Sequence, residues 1–133
     1  MKKPKAIFVT PNTMLTGTLI VHLQAKLDVV VVHTIDECLL HCASFRPRVV
    51  VIQGNINKGV DDELARGPIT VYRSIRKAKI ASSVVLVAQN TSIANIMAAG
   101  LQEDTFCRVT SHDKMWGDEI ATLVSEMARL APC

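Results

Sequence analysis

The sequence predicts an α/β domain, a doubly wound five-stranded parallel sheet of order 2-1-3-4-5 with helices on both faces. Apolar runs rich in β-branched residues alternate with segments of helical periodicity along the 133 residues. The runs are apolar throughout, as in strands that are covered on both faces. Because crossovers between parallel strands are right-handed, few arrangements remain, and 2-1-3-4-5 is a common one for five strands.

The first half of the chain predicts three strands and two helices. Asn12 or Thr13 suits the N-cap of the first helix, and Asp36 suits the start of the second. Pro47 ends that second helix, because a residue before proline avoids the helical conformation. The predicted elements are strands at 5–10, 29–34 and 48–53 and helices at 14–27 and 36–45.

The second half predicts two strands and three helices. The segment 54–67 contains three glycines and no clear period, which is typical of a surface loop. Pro68 fits the first turn of the next helix, and Gly100 fits the end of the helix after it. The predicted elements are helices at 68–79, 92–100 and 113–130 and strands at 83–88 and 104–109.

Composition predicts one soluble domain covering residues 1–133. The net charge of +3 is too small to indicate nucleic-acid binding by itself, and the basic stretch "YRSIRKAK" is typical of a solvated helix end. No apolar run approaches the roughly 20 residues of a membrane span, and the start lacks a secretory core. We therefore expect a cytoplasmic protein without membrane contact.

The four cysteines fit neither a zinc site nor a disulfide scaffold. Cys38 and Cys42 lie one helical turn apart and are expected to be small buried side chains on one helix face. The less favoured alternative is that Cys38 and Cys42 bind a metal ion together with His41. The sequence also lacks the glycine-rich and nucleophile motifs of nucleotide-binding enzymes and hydrolases. We expect no metal, no cofactor and no catalytic residue.

The predicted strand order places a candidate site at the carboxyl edge of the sheet, where α/β proteins bind ligands. Gln53 ends the apolar run of "RPRVVVIQGN" as a neutral amide. We expect this amide to bond Thr10, Asn12 or Asn90 and to fill the pocket. The candidate pocket residues are Thr10, Pro11, Asn12, Gln53 and Ala88.

Three stretches give the chain its resemblance to a response-regulator receiver domain, the CheY-like form of the flavodoxin-like fold. "KAIFVTPNTMLTGTLIVHL" resembles the opening of a receiver, and "RPRVVVIQGN" resembles its third strand. "SSVVLVAQN" followed by "IMAAGLQED" resembles the fourth strand and the turn toward the fifth. The opening also resembles the atypical receivers of LuxR-type biofilm regulators. The resemblance covers essentially the whole chain.

The residues that the resemblance assigns to phosphate chemistry are replaced. An active receiver has an acidic pair after strand one, a phosphoacceptor Asp ending strand three, a hydroxyl residue ending strand four and a Lys after strand five. Here the positions of the acidic pair hold Thr10 and Pro11. The position of the phosphoacceptor holds Gln53, and the position of the hydroxyl residue holds Ala88. Mg²⁺ prefers carboxylate oxygens, and an amide cannot form an acyl phosphate. The resemblance therefore implies a degenerate pseudo-receiver without enzymatic activity.

Two functions from different classes follow from this interpretation. The first is a phosphorylation-independent pseudo-receiver that regulates and dimerises a transcription factor. Because the sequence ends at "MARLAPC", directly after the last predicted helix, we expect the protein to continue into an output domain that binds DNA. The alternative is a stand-alone adaptor or small-ligand sensor, with the pocket of Thr10, Asn12, Gln53 and Asn90 or the loop 54–67 as its binding site.

A homodimer or another protein partner requires an exposed apolar face. Receivers pair through helix four, strand five and helix five, or through helices one and five. The lone tryptophan is a suitable contact anchor near a helix start. The candidate face comprises Ile93, Ile96, Met97, Trp116, Ile120 and Met127.

Overall fold

Strands and helices alternate along the chain in the computed structural model, which describes residues 3–10, 16–53, 61–88, 90–101, 103–113 and 116–131. The elements are β1 (Lys5–Val9), α1 (Thr16–Lys26), β2 (Asp28–Val32), α2 (Ile35–Phe45), β3 (Val49–Gln53), α3 (Asp61–Lys77), β4 (Ser83–Ala88), α4 (Thr91–Ala99), β5 (Cys107–Ser111) and α5 (Gly117–Leu130). Within the described ranges, no helix has both the length and the apolar character that crossing a membrane requires.

The five strands form one parallel sheet of order β2-β1-β3-β4-β5, which confirms the predicted fold class and strand order. The order reverses between β1 and β3. In the observed register Val9 lies opposite Val32, Gln53 opposite Val87, and Ala88 opposite Ser111. The carboxyl ends of β1, β3, β4 and β5 therefore meet along one edge.

Side chains of the sheet alternate between two hydrophobic cores. Val50 and Ile52 pack toward α2, α3 and α4, whereas Val51 packs toward α1 and α5. The helices fill the first core with Cys38, Cys42, Tyr72, Ile75, Ile93 and Met97 and the second with Leu19, Leu23, Ile120, Val124 and Met127. Each large side chain that is fully buried in this way contributes about 1.5–3 kcal/mol.

Several predicted element boundaries are wrong. Helix α2 begins at Ile35, one residue before the predicted start at Asp36, and the hydroxyl of Thr34 caps it by accepting a hydrogen bond from the N–H of Glu37 at 3.1 Å. Helix α3 begins at Asp61, so the predicted loop 54–67 is too long and Pro68 lies inside the helix. Strand β5 covers 107–111 instead of 104–109. By contrast, the predicted bounds of β4 at 83–88 are confirmed.

Candidate functional site

The carboxyl edge of the sheet is closed by small or neutral side chains. Thr10 follows β1, Gln53 ends β3, Ala88 ends β4 and Ser111 ends β5, and all four are buried. The Thr10 N–H donates to the carbonyl of Val32 at 3.0 Å, which holds the chain close to β2 beyond the end of β1. None of these four side chains carries a charge, so these four positions offer no charged group to a phosphate or a cation.

Gln53 is the residue at this edge whose polar atoms are left without partners. The residue is 4% exposed, and neither its Nε2 nor its Oε1 forms a hydrogen bond within the described part of the chain. The expected bonds to Thr10 and Asn90 are therefore wrong, while Asn12 lies outside the described residues. Burying an amide without a partner costs about 1–3 kcal/mol. The structure thus keeps an energetically unfavourable polar group at the end of β3.

Asn90 has a different role, because it caps α4. Its Oδ1 accepts a hydrogen bond from the N–H of Ile93 at 3.0 Å. The same helix start is bound by Asp113, which accepts from the N–H of Thr91 at 2.8 Å and from its hydroxyl at 2.9 Å. These bonds join the start of α4 to the segment that follows β5.

Asp113 follows β5 at this edge of the sheet, and it was not predicted from the sequence as a site residue. Its carboxylate also accepts a hydrogen bond from the hydroxyl of Ser111. This bond, followed by the bond from the Thr91 N–H, lowers the pKa of Asp113 below its usual value. The carboxylate that follows β5 is therefore engaged in holding α4 and β5 together.

Pro11 and Asn12 lie outside the described residues, as does the loop segment 54–60. Across the described ranges, no three His, Cys, Asp or Glu side chains approach one another closely enough to hold a metal ion. Cys38 and Cys42 are buried on one face of α2, as predicted.

Four of the six residues proposed as a partner face belong to the core. Ile93, Met97, Ile120 and Met127 are at most 2% exposed and contribute to the two cores instead. Their helical spacing arises from packing against the sheet, so this part of the predicted face is wrong for the folded chain. Ile96 is 36% exposed and Trp116 is 79% exposed. These two side chains are accessible to a partner.

The basic stretch at the end of α3 is only partly the solvated helix end that the sequence predicts. Arg76 is partly buried and donates to the carbonyls of Ile80 at 2.9 Å and Ser82 at 2.8 Å. Its Nε also pairs with the carboxylate of Asp104 at 2.9 Å. Arg73, by contrast, is exposed and donates to the Gly100 carbonyl at 3.1 Å. The structure therefore uses Arg76 to fix the chain before β4 and β5.

Comparison with solved structures identifies domains that share this fold. A transiently phosphorylated switch of bacterial signal transduction superposes with a TM-score of 0.72 at 15% identity, covering 98% of both chains. The receiver domain of the Francisella response regulator 1452 superposes with a TM-score of 0.68 at 15% identity, covering 96% of this chain and 98% of the other. A DNA-binding response regulator of the LuxR family from Staphylococcus aureus superposes with a TM-score of 0.59 at 12% identity, covering 94% of this chain and 98% of the other.

No protein-family model and no curated protein matches the sequence. The likeness is therefore one of fold, and the structural neighbours are receiver domains of response regulators. It extends over nearly the whole of this chain and of the neighbours, so the fold of five parallel strands with their helices matches the CheY-like flavodoxin fold of receiver domains.

Proposed function

We propose that this chain is a phosphorylation-independent pseudo-receiver, the regulatory and dimerisation domain of a response-regulator-type transcription factor. The observation that carries the proposal is Gln53. It occupies the end of β3, where a receiver presents its phosphoacceptor carboxylate, and an amide cannot accept a phosphoryl group as an acyl phosphate.

The neighbouring strand ends support the same conclusion. Thr10 and Ala88 offer no carboxylate, and β5 ends in Thr110 and Ser111 rather than in a cation. Mg²⁺ is bound in proteins through one or two carboxylates together with waters and phosphates. Residues 10, 53, 88 and 111 therefore lack the groups that a magnesium-dependent phosphotransfer needs.

The proposed partners are a second copy of this chain and, through a further domain, DNA. Trp116 and Ile96 supply the exposed apolar contacts of a homodimer. DNA is reached through an output domain that is not part of this chain, and one structural neighbour is a DNA-binding response regulator of the LuxR family. The protein acts in the cytoplasm and is not an enzyme.

The test is sedimentation of the reduced protein across a concentration range, with and without Mg²⁺ and the phosphate analogue beryllofluoride. We expect a dimer whose mass and thermal unfolding midpoint are unchanged by either addition. An active receiver domain, treated in parallel, shows that the beryllofluoride is competent. A change in mass or midpoint on adding Mg²⁺ with beryllofluoride contradicts phosphorylation independence, and a monomer at every concentration contradicts the dimerisation.

A small-ligand sensor on the same scaffold is the second candidate, and the unpartnered amide of Gln53 favours it. Both polar atoms of this side chain are free within the described residues, so a small polar molecule that donates and accepts hydrogen bonds would satisfy them. A metabolite screen that follows thermal unfolding tests this function. Stabilisation that disappears in Gln53→Met supports the sensor, and the absence of any stabilising compound argues against it.

A further inference from the structure

A cleft of about 600 Å³ opens at the amino edge of the sheet, at the end opposite to Gln53. It lies where the chain enters β1, β3 and β4. Cys42, Pro47, Ile80 and Ala81 supply its largely apolar floor. Pockets that bind small molecules commonly measure about 300–1,000 Å³ and combine an apolar lining with a few charged groups. The cleft has the size and the lining of such a site.

Four cations and no carboxylate line this cleft. They are Lys3, Lys5, Arg46 and Arg48. Arg48 is engaged with backbone, since its Nε donates to the Ala128 carbonyl at 2.9 Å. Within the described ranges, the ion pair that the structure contains joins Arg76 to Asp104, so none of the four cations has an acidic partner. Their positive charge is therefore available to an anion.

Lys5 and Arg46 are the cations whose donors remain available. The Lys5 ammonium lies 5.2 Å from the centre of the Phe45 ring, a contact that leaves its three N–H donors unused. Among the described residues, no group accepts a hydrogen bond from the Arg46 guanidinium, and its planar fork suits a carboxylate or a phosphate. Because these donors lack acceptors, an anion in the cleft gains charge-assisted hydrogen bonds.

The backbone at Arg46 adds a second, independent feature. Arg46 caps the C-terminus of α2 in the left-handed conformation, with φ 53° and ψ 63°. Glycine adopts this conformation without steric cost and is the usual residue at such a position. The chain instead holds an arginine there, and this arginine is one of the residues that line the cleft.

We propose that this cleft binds a small molecule with an apolar body and one anionic group. The carboxylate, sulfonate or phosphate of the ligand pairs with Arg46 and Lys5, and its apolar body packs on Pro47 and Ile80. The cleft lies at the opposite edge from Gln53, so the inference stands whether or not the domain is a pseudo-receiver. Binding of such a molecule in the cleft would regulate the domain without any phosphoryl transfer.

Two fluorescent probes that differ in one group test the charge requirement. The probe 1-anilinonaphthalene-8-sulfonate has the apolar body and an anion, and N-phenyl-1-naphthylamine has the same body without the anion. We expect saturable one-to-one binding of the sulfonate, about tenfold tighter than binding of the neutral probe, since one charge-assisted hydrogen bond accounts for that ratio. Equal affinities for the two probes would overturn the proposal.

Two matched variants locate the site. Arg46→Gln removes the cleft's free guanidinium, whereas Arg108→Gln removes one charge from an exposed position on β5, away from the cleft. We expect Arg46→Gln to weaken the sulfonate about tenfold and to leave the neutral probe unchanged. Arg108→Gln should change neither. Equal weakening by both substitutions would mean that net charge, not the cleft, attracts the probe.

NMR chemical shifts of the backbone amides locate the bound probe in the wild-type protein, without any substitution. On titration with the sulfonate probe we expect the largest shifts at Lys5, Arg46 and Ala81. As a further check, Ala81→Trp places an indole at the cleft and should abolish binding of both probes, while circular dichroism verifies that the variant is folded. Shifts concentrated elsewhere, or binding that persists in folded Ala81→Trp, would exclude the cleft.

Discussion

The Nε of Arg76 lies 2.9 Å from the Oδ2 of Asp104, and the same oxygen accepts a hydrogen bond from the hydroxyl of Tyr72. Asp104 Oδ1 accepts a further bond from the N–H of Phe106 at 2.9 Å. This carboxylate therefore connects α3 with the turn that leads into β5. Since Arg76 also binds the carbonyls before β4, one partly buried cluster fixes the entry to two adjacent strands.

Arg76→Gln is the first change we expect to destabilise the fold. The substitution leaves the Asp104 carboxylate and the carbonyls of Ile80 and Ser82 without their cationic donor. Loss of one partner of a partly buried ion pair leaves an uncompensated charge. We expect the free energy of unfolding in urea to fall by about 2–4 kcal/mol.

Arg73→Gln is the matched control for this prediction. Arg73 lies on the same helix, is exposed, and donates one hydrogen bond to the carbonyl of Gly100. Its replacement should change the free energy of unfolding by less than about 1 kcal/mol. Similar losses for the two variants would mean that the charge of α3 as a whole, and not the cluster at Asp104, is what matters.

The same cluster predicts a loss of stability in alkali. Burial, and then the hydrogen bond to Asp104, raise the pKa of Tyr72 from 10.0 to about 12. A raised folded-state pKa contributes stability below about pH 10 that is lost as pH rises toward about 12. We expect the free energy of unfolding to decline over this window in the wild-type protein and less steeply in Tyr72→Phe. Equal slopes for the two proteins would contradict the assignment.

The sequence predicted the fold because its strongest signals are local. Each strand is a short apolar run, and β4 was predicted to the residue. The start of α3 was missed because Gly67 and Pro68 are usual helix breakers, yet the helix extends from Asp61 through both. Strand β5 was placed two to three residues early, because the sequence does not reveal that Asp104 is held in a turn by Tyr72 and Arg76.

The sequence was sufficient to predict which strand-end residues lie at the candidate site, but not which hydrogen bonds form there. The strand order was sufficient to bring Thr10, Gln53 and Ala88 to one edge. Asp113 was missed because its partner Thr91 lies 22 residues earlier in the chain, and no local pattern indicates that pairing. For the partner face, helical periodicity could not distinguish core residues from exposed ones, because α4 and α5 are covered by the sheet on one side only.

Gln53→Met should stabilise the domain. Methionine has nearly the same shape as glutamine but leaves no buried amide without partners. We expect the free energy of unfolding to rise by about 1–2 kcal/mol. Gln24→Met, at an exposed position on α1, is the control and should change it by no more than about 0.5 kcal/mol. Destabilisation by Gln53→Met would show instead that the amide is satisfied in solution.

Asp113→Asn should loosen the start of α4. The carboxylate accepts bonds from the Thr91 N–H and from the hydroxyls of Thr91 and Ser111, and a neutral amide accepts them more weakly. Faster hydrogen exchange is expected at the first amides of α4, with β1 unaffected. Asp118→Asn, an exposed acid in the first turn of α5, is the control and should leave the exchange of α4 unchanged.

The pKa of Asp113 gives this prediction a pH dependence. Because the bonds from Ser111 and Thr91 lower it in the folded chain, the carboxylate contributes its stabilisation above its ordinary pKa of 3.8. The contribution is lost as pH falls through the lower, folded-state value. In wild-type protein the first amides of α4 should therefore lose protection in acid, whereas Asp113→Asn should show little further change. If the hydrogen-exchange protection of these amides in wild-type protein did not change below about pH 4, this role of Asp113 would be contradicted.

Trp116 is the residue on which we expect a homodimer to depend. Its N–H donates to the carboxylate of Glu119 at 3.1 Å and its carbonyl accepts from Ile120, so its backbone is fixed at the start of α5 while the indole is exposed. Exposed tryptophans of this kind are enriched among the residues that dominate interfaces. Trp116→Ala should raise the dissociation constant of the dimer at least about tenfold, which corresponds to about 1.4 kcal/mol.

Sedimentation and fluorescence measure this effect independently. Trp116 is the only tryptophan of the chain, so its emission should move to shorter wavelength as the protein concentration rises through the dissociation constant. Leu130→Ala removes an apolar side chain that is 58% exposed at the other end of α5 and should leave the dimer intact. If Leu130→Ala dissociates the dimer and Trp116→Ala does not, the interface lies at the opposite end of this helix, and Trp116 is not its anchor.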